Sequence, residues 1–124
     1  MLAPTQRLRS AADFSSVVSR GRRAGSPALV VHLLGPDPDH GTRAPARCGF
    51  VVNKAVGNAV TRNRVVRRLR PLVRKRLPDL PEGSLMVVRA LPAAAGASSS
   101  ELSGALDRCL RKLAGPSPQA GGMP

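Results

Sequence analysis

Aromatic and acidic side chains are scarce in this chain. Its 124 residues include no Trp, no Tyr and two Phe, and only seven are Asp or Glu. Stacking of successive unpaired bases needs several exposed rings, so an extensive base-stacking surface is excluded. No apolar run approaches the ~20 residues that cross a membrane. The first seven residues also lack the apolar stretch of a signal peptide, so we expect a cytoplasmic protein with no membrane partner.

The few cysteines, histidines and acids limit the chemistry available to the chain. Cys48 and Cys109 are too few for a disulfide framework or a four-ligand zinc site. Their apolar neighbours favour two buried free thiols, with one disulfide as the alternative. The seven acids are scattered, whereas acid–base catalysis and two-metal catalysis need clustered His or carboxylate groups. We therefore predict no catalytic residue and no metal site within the chain.

Positive charge is what the sequence has in excess. Twenty Lys and Arg against seven Asp and Glu give a net charge of +13, with a pI near 11.8. A bias of this size predicts a polyanionic partner. Seventeen of the basic residues are Arg, whose planar guanidinium binds phosphate oxygens through two parallel hydrogen bonds.

The pattern of apolar residues and turn signals predicts one α+β domain. Residues 1–9 are a basic, extended arm, residues 10–114 form the α+β domain, and the Pro- and Gly-rich residues 115–124 are expected to be disordered. A first helix spans residues 10–20, with Gly21 as its stop.

Strands and a final helix follow this first helix. Residues 28–34 and 47–53 are apolar strands that we predict to pair as an antiparallel hairpin with a long loop. A short strand at 22–25 precedes them, and another strand spans 84–90. Ser98–Glu101 is a capping box for the final amphipathic helix, which Gly115 and Pro116 end.

A central helix follows Gly57 and Asn58. Its apolar residues fall in one arc of about 140° when each residue turns the helix by 100°. Arg62 lies on the apolar side, so either the regular helix begins after it or its side chain extends to solvent. Pro71 removes a hydrogen bond and crowds the carbonyl four residues earlier, so we predict a kink or a break there.

The central segment also concentrates the charge. No carboxylate occurs between Asp39 and Asp79, and 11 of the 20 basic residues lie in that window. A solvated basic helix is the alternative, but unscreened like charges on a helix are unfavourable, so the lack of acids favours a nucleic-acid-binding face. The candidate RNA-binding residues are Lys54, Asn58, Arg62, Asn63, Arg64, Arg67, Arg68 and Arg70. Phe14 is assigned to the interface between the first helix and the sheet, or to a groove, and Phe50 to the core.

The run Gly57-Asn58-Ala59-Val60-Thr61-Arg62-Asn63-Arg64, followed by Arg67-Arg68-Leu69-Arg70, resembles the signature of the bacterial ribonuclease P protein component. Flanking features agree: a basic arm, Asp13-Phe14 with Gly21 seven residues later, and Gly49–Val52 leading to Lys54. The resemblance covers residues 5–113.

This resemblance implies a fold and a function. The fold is an α-β-β-β-α-β-α sandwich with a left-handed β-α-β crossover, an exception to the usual right-handed connection. The function is that of a protein subunit that binds the ribonuclease P catalytic RNA and the 5′ leader of precursor tRNA. The RNA, with Mg²⁺ held mainly by RNA, would cleave the leader to make the mature 5′ end. We expect one protein per RNA.

The resemblance also implies residue roles. Arg62, Asn63, Arg64, Arg67 and Arg68 would face the catalytic RNA and the leader near the cleavage site. The 5′-leader cleft, between the first helix and the sheet, would be lined by Phe14, Val18, Val30, His32, Val51 and Asn53. Two alternatives from other classes are a structural RNA-binding protein of the ribosomal type and a non-specific DNA binder.

Overall fold

The computed structural model describes residues 7–8, 11–36 and 45–114. Three helices are present in these ranges: α1 (Ala11–Arg20), α2 (Ala59–Arg76) and α3 (Ser99–Ala114). The strands are β1 (Arg22–Gly25), β2 (Leu29–Leu34), β3 (Arg47–Val51) and β4 (Leu85–Ala90). Short 3₁₀ turns occupy Leu77–Asp79 and Pro92–Gly96. The predicted tail at 115–124 and most of the predicted arm at 1–9 lie outside the described residues.

The four strands form one sheet in the order β1-β2-β4-β3. β1, β2 and β4 are antiparallel neighbours, whereas β3 runs parallel to β4. The short strand predicted at 22–25 is confirmed, but the predicted pairing of β2 with β3 is wrong because β4 lies between them. Met86, Val87 and Val88 are fully buried. A strand that is apolar on both faces is favoured at the centre of a sheet, where both faces are covered.

Helices cover the two faces of the sheet unequally. α2 and α3 pack on one face over the main core, which includes Leu29, Leu69, Met86, Leu102 and Leu106. α1 covers part of the other face, where Val17 and Val87 are buried together with Leu8. The order of elements is the predicted α-β-β-β-α-β-α, and the single-domain α+β class is confirmed. The left-handed sense of the β3-α2-β4 connection stays a prediction.

Proline at position 71 does not break α2. The helix is continuous over 18 residues from Ala59 to Arg76, so the predicted break is wrong. Pro71 and Arg67, whose carbonyl loses its usual donor, are both exposed. Water can therefore donate to the Arg67 carbonyl in place of the missing N–H group. Tertiary packing of Val65, Leu69 and Val73 stabilises the helix.

Local sequence signals set the start of α3 and the state of the thiols. The Ser98 N–H donates to Oε1 of Glu101 at 2.9 Å, and the Glu101 N–H donates to Oγ of Ser98 at 3.1 Å. This confirms the capping box, and the hydrogen bond from the Ser98 N–H lowers the pKa of the Glu101 carboxyl. Cys48 and Cys109 are free and buried as predicted, and burial raises the pKa of the Cys48 thiol.

Candidate nucleic-acid interface

A tight turn presents the N-terminus of α2. Gly57 has φ +154°, and a Cβ there would lie 2.9 Å from Cγ2 of Thr61, so both the backbone and the space require glycine. Asn58 is the N-cap residue, and its Oδ1 accepts the Thr61 N–H at 2.9 Å. This cap leaves the Asn58 amide NH₂ and the exposed Lys54 side chain facing solvent beside the first turn.

The two sides of α2 differ sharply. Val65, Leu69 and Val73, four residues apart, are fully buried against the sheet. Asn63, Arg64 and Arg67 are exposed on the other side. Since no acidic residue occurs anywhere in α2, Arg64 and Arg67 have no counterion on their own helix. The structure thus places these two arginines and Asn63 on one solvent-facing surface.

Three of the predicted arginines are half-buried rather than free. Arg68 Nη1 donates to the Ala97 carbonyl at 2.7 Å and ties α2 to the segment before α3. Arg62 belongs to the helix, and its Nε is buried without a hydrogen-bond partner among the described residues. Arg70 lines a cleft together with Phe14 of α1. These three side chains therefore present less of their surface to an anion than Arg64 and Arg67 do.

A cleft of about 360 Å³ joins the basic side of α2 to α1 and the edge of β3. Arg7 and Arg70 lie at this cleft, and Phe14, Phe50 and Val66 supply apolar lining. Arg7 forms an isolated parallel bridge with Cys48, and the Leu8 N–H donates to the Cys48 carbonyl at 3.0 Å. Residues 7 and 8 therefore lie alongside the edge strand β3, and Arg7 adds one more arginine near α2.

The sheet face on the α1 side carries most of the predicted leader cleft. Cross-strand partners share a face, and His32 lies opposite Val87, whereas Val30 and Val51 lie opposite Arg89. Phe14 packs over Gly49, where a side chain would collide with the ring.

The remaining two cleft residues lie outside the strands. Val18 is 39% exposed on α1. Asn53 follows β3, and its Oδ1 accepts the Ala55 N–H at 3.1 Å. The structure thus groups Phe14, Val30, His32 and Val51 on this face of the sheet, while Val18 is exposed on α1 and Asn53 is exposed after β3.

Two arginines that the sequence analysis did not single out flank His32. Arg23 is its partner on β1, and Arg89 lies diagonally across on β4. His32 is only 3% exposed, and neither ring nitrogen has a hydrogen-bond partner among the described residues. Burial, then Arg89 and Arg23, lower its pKa and so favour the neutral imidazole. The signal for Arg89 was present in the sequence, since it is the one charge in β4.

Metal-binding and membrane-spanning features are absent from the described ranges. Residues 7–8, 11–36 and 45–114 contain no group of three or more His, Cys, Asp or Glu that could hold a metal ion. No helix within those ranges is both long and apolar enough to span a bilayer.

The basic side of α2 and the neighbouring cleft offer guanidinium groups, amides and apolar side chains, which can bind and position a phosphate chain. Such a set of groups is typical of a small α+β nucleic-acid-binding protein.

Comparison with known proteins identifies the family within this class. The model of the ribonuclease P family matches residues 2–114, and the chain belongs to this family. A ribonuclease P protein component from Streptomyces griseus is 55% identical over 119 residues, covering 93% of this chain and 97% of that protein. One from a Nocardioides species is 53% identical over 113 residues, covering 91% and 95%. The chain is thus a bacterial ribonuclease P protein component by family.

Solved structures support the same fold. The RNase P protein of Staphylococcus aureus is similar with a TM-score of 0.74 and 23% identity, over 86% of this chain and 94% of that one. The RNase P protein of Thermotoga maritima has a TM-score of 0.68 and 24% identity, over 86% and 94%. At this identity the likeness concerns the fold.

Proposed function

We propose that this chain is the protein subunit of a ribonuclease P that removes the 5′ leader of precursor tRNA. It binds the catalytic RNA through the basic side of α2 and the leader through the cleft between α1 and the sheet. The observation that carries the proposal is the acid-free α2 surface, displayed by a chain that belongs to the ribonuclease P family. One protein binds one RNA, in the cytoplasm.

The residues favour positioning over catalysis. Arg64 and Arg67 can each bind a phosphate from exposed positions, and Asn63 can donate to phosphate or sugar oxygens. The described acids include no carboxylate cluster of the kind that holds Mg²⁺. The residues described therefore do not fit a protein-held metal, and we assign the Mg²⁺ and the cleavage chemistry to the RNA.

The leader side of the proposal rests on shape and charge. The apolar floor of Val30 and Val51 accepts unpaired bases, and the exposed Arg89 lies between them, within reach of the leader backbone. Among the predicted leader-cleft residues Phe14 is the one phenylalanine, and His32 is buried, so base stacking contributes little. The cleft should therefore recognise the presence of a leader more than its sequence.

Reconstitution tests the function. The chain is combined with the cognate catalytic RNA and a precursor tRNA at low Mg²⁺, and cleavage and substrate affinity are compared with those of the RNA alone. We expect a gain in both, with a preference for precursor over mature tRNA. If the protein adds nothing to either, or copurifies with ribosomal RNA instead, the ribosomal-type alternative replaces this proposal. An equal affinity for duplex DNA would favour the non-specific DNA binder.

Arginine variants locate the RNA contacts. Arg64→Ala or Arg67→Ala should lower RNA affinity and reduce the slope of log K against log salt concentration by about 0.7–0.9 for each lost phosphate contact. Lys75→Ala, in the last turn of the same helix, removes one charge outside the predicted set and serves as the control. An unchanged slope would show that the substituted arginine contacts no phosphate.

A further inference from the structure

A second concentration of positive charge lies away from α2. Of the nine basic residues outside the window between Asp39 and Asp79, six surround strand β1 and the C-terminal half of α3. We call these six residues the β1–α3 surface, and all of them are exposed: Arg20, Arg22, Arg23, Arg108, Arg111 and Lys112.

Two hydrogen bonds hold the helix and strand of this surface together. Arg22 Nη2 donates to the Leu113 carbonyl, and Lys112 Nζ donates to the Gly25 carbonyl at 3.1 Å. The cations of α3 are thereby fixed beside those of β1. The surface is a set of side chains with a defined arrangement rather than a flexible charge run.

The sheet order separates this surface from the basic side of α2. β1 is one edge of the sheet and β3 is the other. Four strands span about 14 Å between their outermost backbones, and side chains extend that distance on both sides. The cleft at Arg7 and Arg70 therefore lies toward the β3 edge, whereas β1 lies at the far edge of the sheet.

The nearby acids do little to neutralise the β1–α3 surface. Asp107 accepts from Arg76 Nε of α2 at 2.7 Å, while Arg76 Nη2 donates to Ser103 Oγ. Glu101 caps α3 at its opposite end. Arg111 shares a cleft with Asp79 and Asp107, and Arg108 shares another with Glu101. Arg20, Arg23 and Arg108 form no ion pair among the described residues.

Protection of an edge strand is the simplest other role for these charges, since charged side chains prevent two sheet edges from pairing. That role requires cations on β1 alone. It explains neither the cations on α3 nor the presence of Arg in five of the six positions. Guanidinium groups on both sides of an exposed edge match the spaced oxygens of a phosphate backbone.

We propose that the β1–α3 surface binds the phosphate backbone of a second RNA segment, distinct from the segment bound along α2. The proposal rests on the proposed function in that it takes RNA as the partner. The chain then bridges two parts of a folded RNA, or the catalytic RNA and its substrate, from opposite edges of one sheet.

A pair of matched double variants tests this proposal in the reconstituted complex. Arg111→Gln/Lys112→Gln and Arg74→Gln/Lys75→Gln each remove an Arg-Lys pair from the last turn of a helix, α3 and α2 respectively. Loss of two phosphate contacts should reduce the salt slope by about 1.4–1.8 in the α3 variant. The α2 control should change it much less. An unchanged slope in the α3 variant, or an equal change in both, overturns the proposal.

Two further double variants distinguish a loss of RNA contacts from a loss of stability, and the β1–α3 surface from the basic side of α2. Arg20→Gln/Arg108→Gln removes two cations without touching either hydrogen bond of the surface, and it should also reduce the slope while the thermal midpoint stays unchanged. Arg64→Gln/Arg67→Gln tests the α2 side. If only that variant weakens binding, the β1–α3 surface binds no RNA and the proposed function stands. If the unmodified chain binds no catalytic RNA, both fail.

A tethered probe gives an independent measurement. Both native cysteines are buried, so a cysteine introduced at the exposed Ser19, next to Arg20, can be labelled selectively with an iron chelate that cleaves nearby RNA. We expect cleavage at nucleotides that the same probe at Lys75→Cys does not reach. Absence of RNA cleavage from position 19 overturns the proposal.

Discussion

Phe14 and Gly49 show how one missing side chain shapes the cleft. The ring of Phe14 occupies the space that a Cβ at position 49 would need, and it packs with the buried Val17 and Val87. α1 therefore approaches β3 as closely as the ring allows. The width of the cleft between α1 and the sheet depends on this contact.

Gly49→Ala should push the Phe14 ring out of place and destabilise the fold by about 1–3 kcal/mol. The unfolding free energy measured in urea tests this. Phe14→Leu should recover part of the loss in the double variant, because the smaller side chain leaves room for the new methyl group. Additive effects of the two substitutions would show that the two residues are not in contact.

His32 should make stability depend on pH. Its pKa is lowered in the folded state by burial and by Arg89 and Arg23, so the unfolded chain binds more protons near pH 6.5 than the folded one. The unfolding free energy therefore rises with pH through this region, and the stability is fully present above the unfolded pKa. We expect denaturation at pH 5.5 to need less urea than at pH 7.5.

His32→Leu provides the control for this pH dependence. It replaces the titrating group with an apolar side chain of similar size. The difference in unfolding free energy between pH 5.5 and 7.5 should therefore shrink. Asp107, whose pKa Arg76 lowers, contributes only at a lower pH. An undiminished pH dependence in the variant would assign the effect to another group.

Residue-level prediction from the sequence succeeded where the signal was local. The start of α2 after Gly57 and Asn58 and the capping box at Ser98–Glu101 are predicted from adjacent residues and are present. The tie from Arg68 to the Ala97 carbonyl joins residues 29 positions apart, and no local pattern encodes such a contact. For the same reason Arg89 became visible beside His32 only through the strand register.

At the scale of the element, the N-cap of α2 combines stability with a candidate RNA contact. Asn58→Ala removes the acceptor of the Thr61 N–H and should cost about 0.5–2 kcal/mol of unfolding free energy. Asn58→Ser keeps a capping oxygen but lacks the amide NH₂ group. We expect thermal unfolding of the Ser variant to stay close to that of the parent chain.

RNA affinity then separates the two roles of Asn58. If its amide donates to RNA, the Ser variant should bind more weakly although its stability is retained. Equal affinity of the Ser variant and the parent chain would restrict Asn58 to capping.

Helices and strands were largely predictable, whereas their partners were not. Apolar patterns located the three helices and the strands β2, β3 and β4, since each pattern lies within one segment, whereas β1 carries no apolar pattern of its own. The neighbour of β3 could not be read this way, because pairing with β4 depends on residues more than 30 positions away. α2 continues through Pro71 because the buried row of Val65, Leu69 and Val73 outweighs one lost backbone hydrogen bond.

At the scale of the whole molecule, α3 joins the helical layer to the sheet. Leu106 is fully buried within the main core. Leu106→Ala should lower the unfolding free energy by about 2–5 kcal/mol, measured by urea denaturation. Leu110→Ala, at a half-buried position of the same helix, should cost less. Equal losses would indicate that the core does not pack around Leu106 as described.

One of the two basic surfaces could be predicted from the sequence, and the other could not. The excess of arginine and the acid-free segment are properties of the sequence and identify the basic side of α2. The β1–α3 surface joins Arg20–Arg23 to Arg108–Lys112, which are distant in the chain. Only the fold brings them together, through the ties of Arg22 and Lys112 to the opposite element.

The position of β4 has a consequence for synthesis of the chain. β4 is the last strand to be translated, yet it is the common neighbour of β2 and β3. A nascent chain that ends before residue 85 can form α1 and the β1-β2 pair, but β3 has no main partner and the apolar side of α2 has no complete sheet to cover. Non-local pairing of this kind makes folding cooperative and slow relative to local pairing. The arginine-rich helix thus leaves the ribosome before the domain that supports it can close.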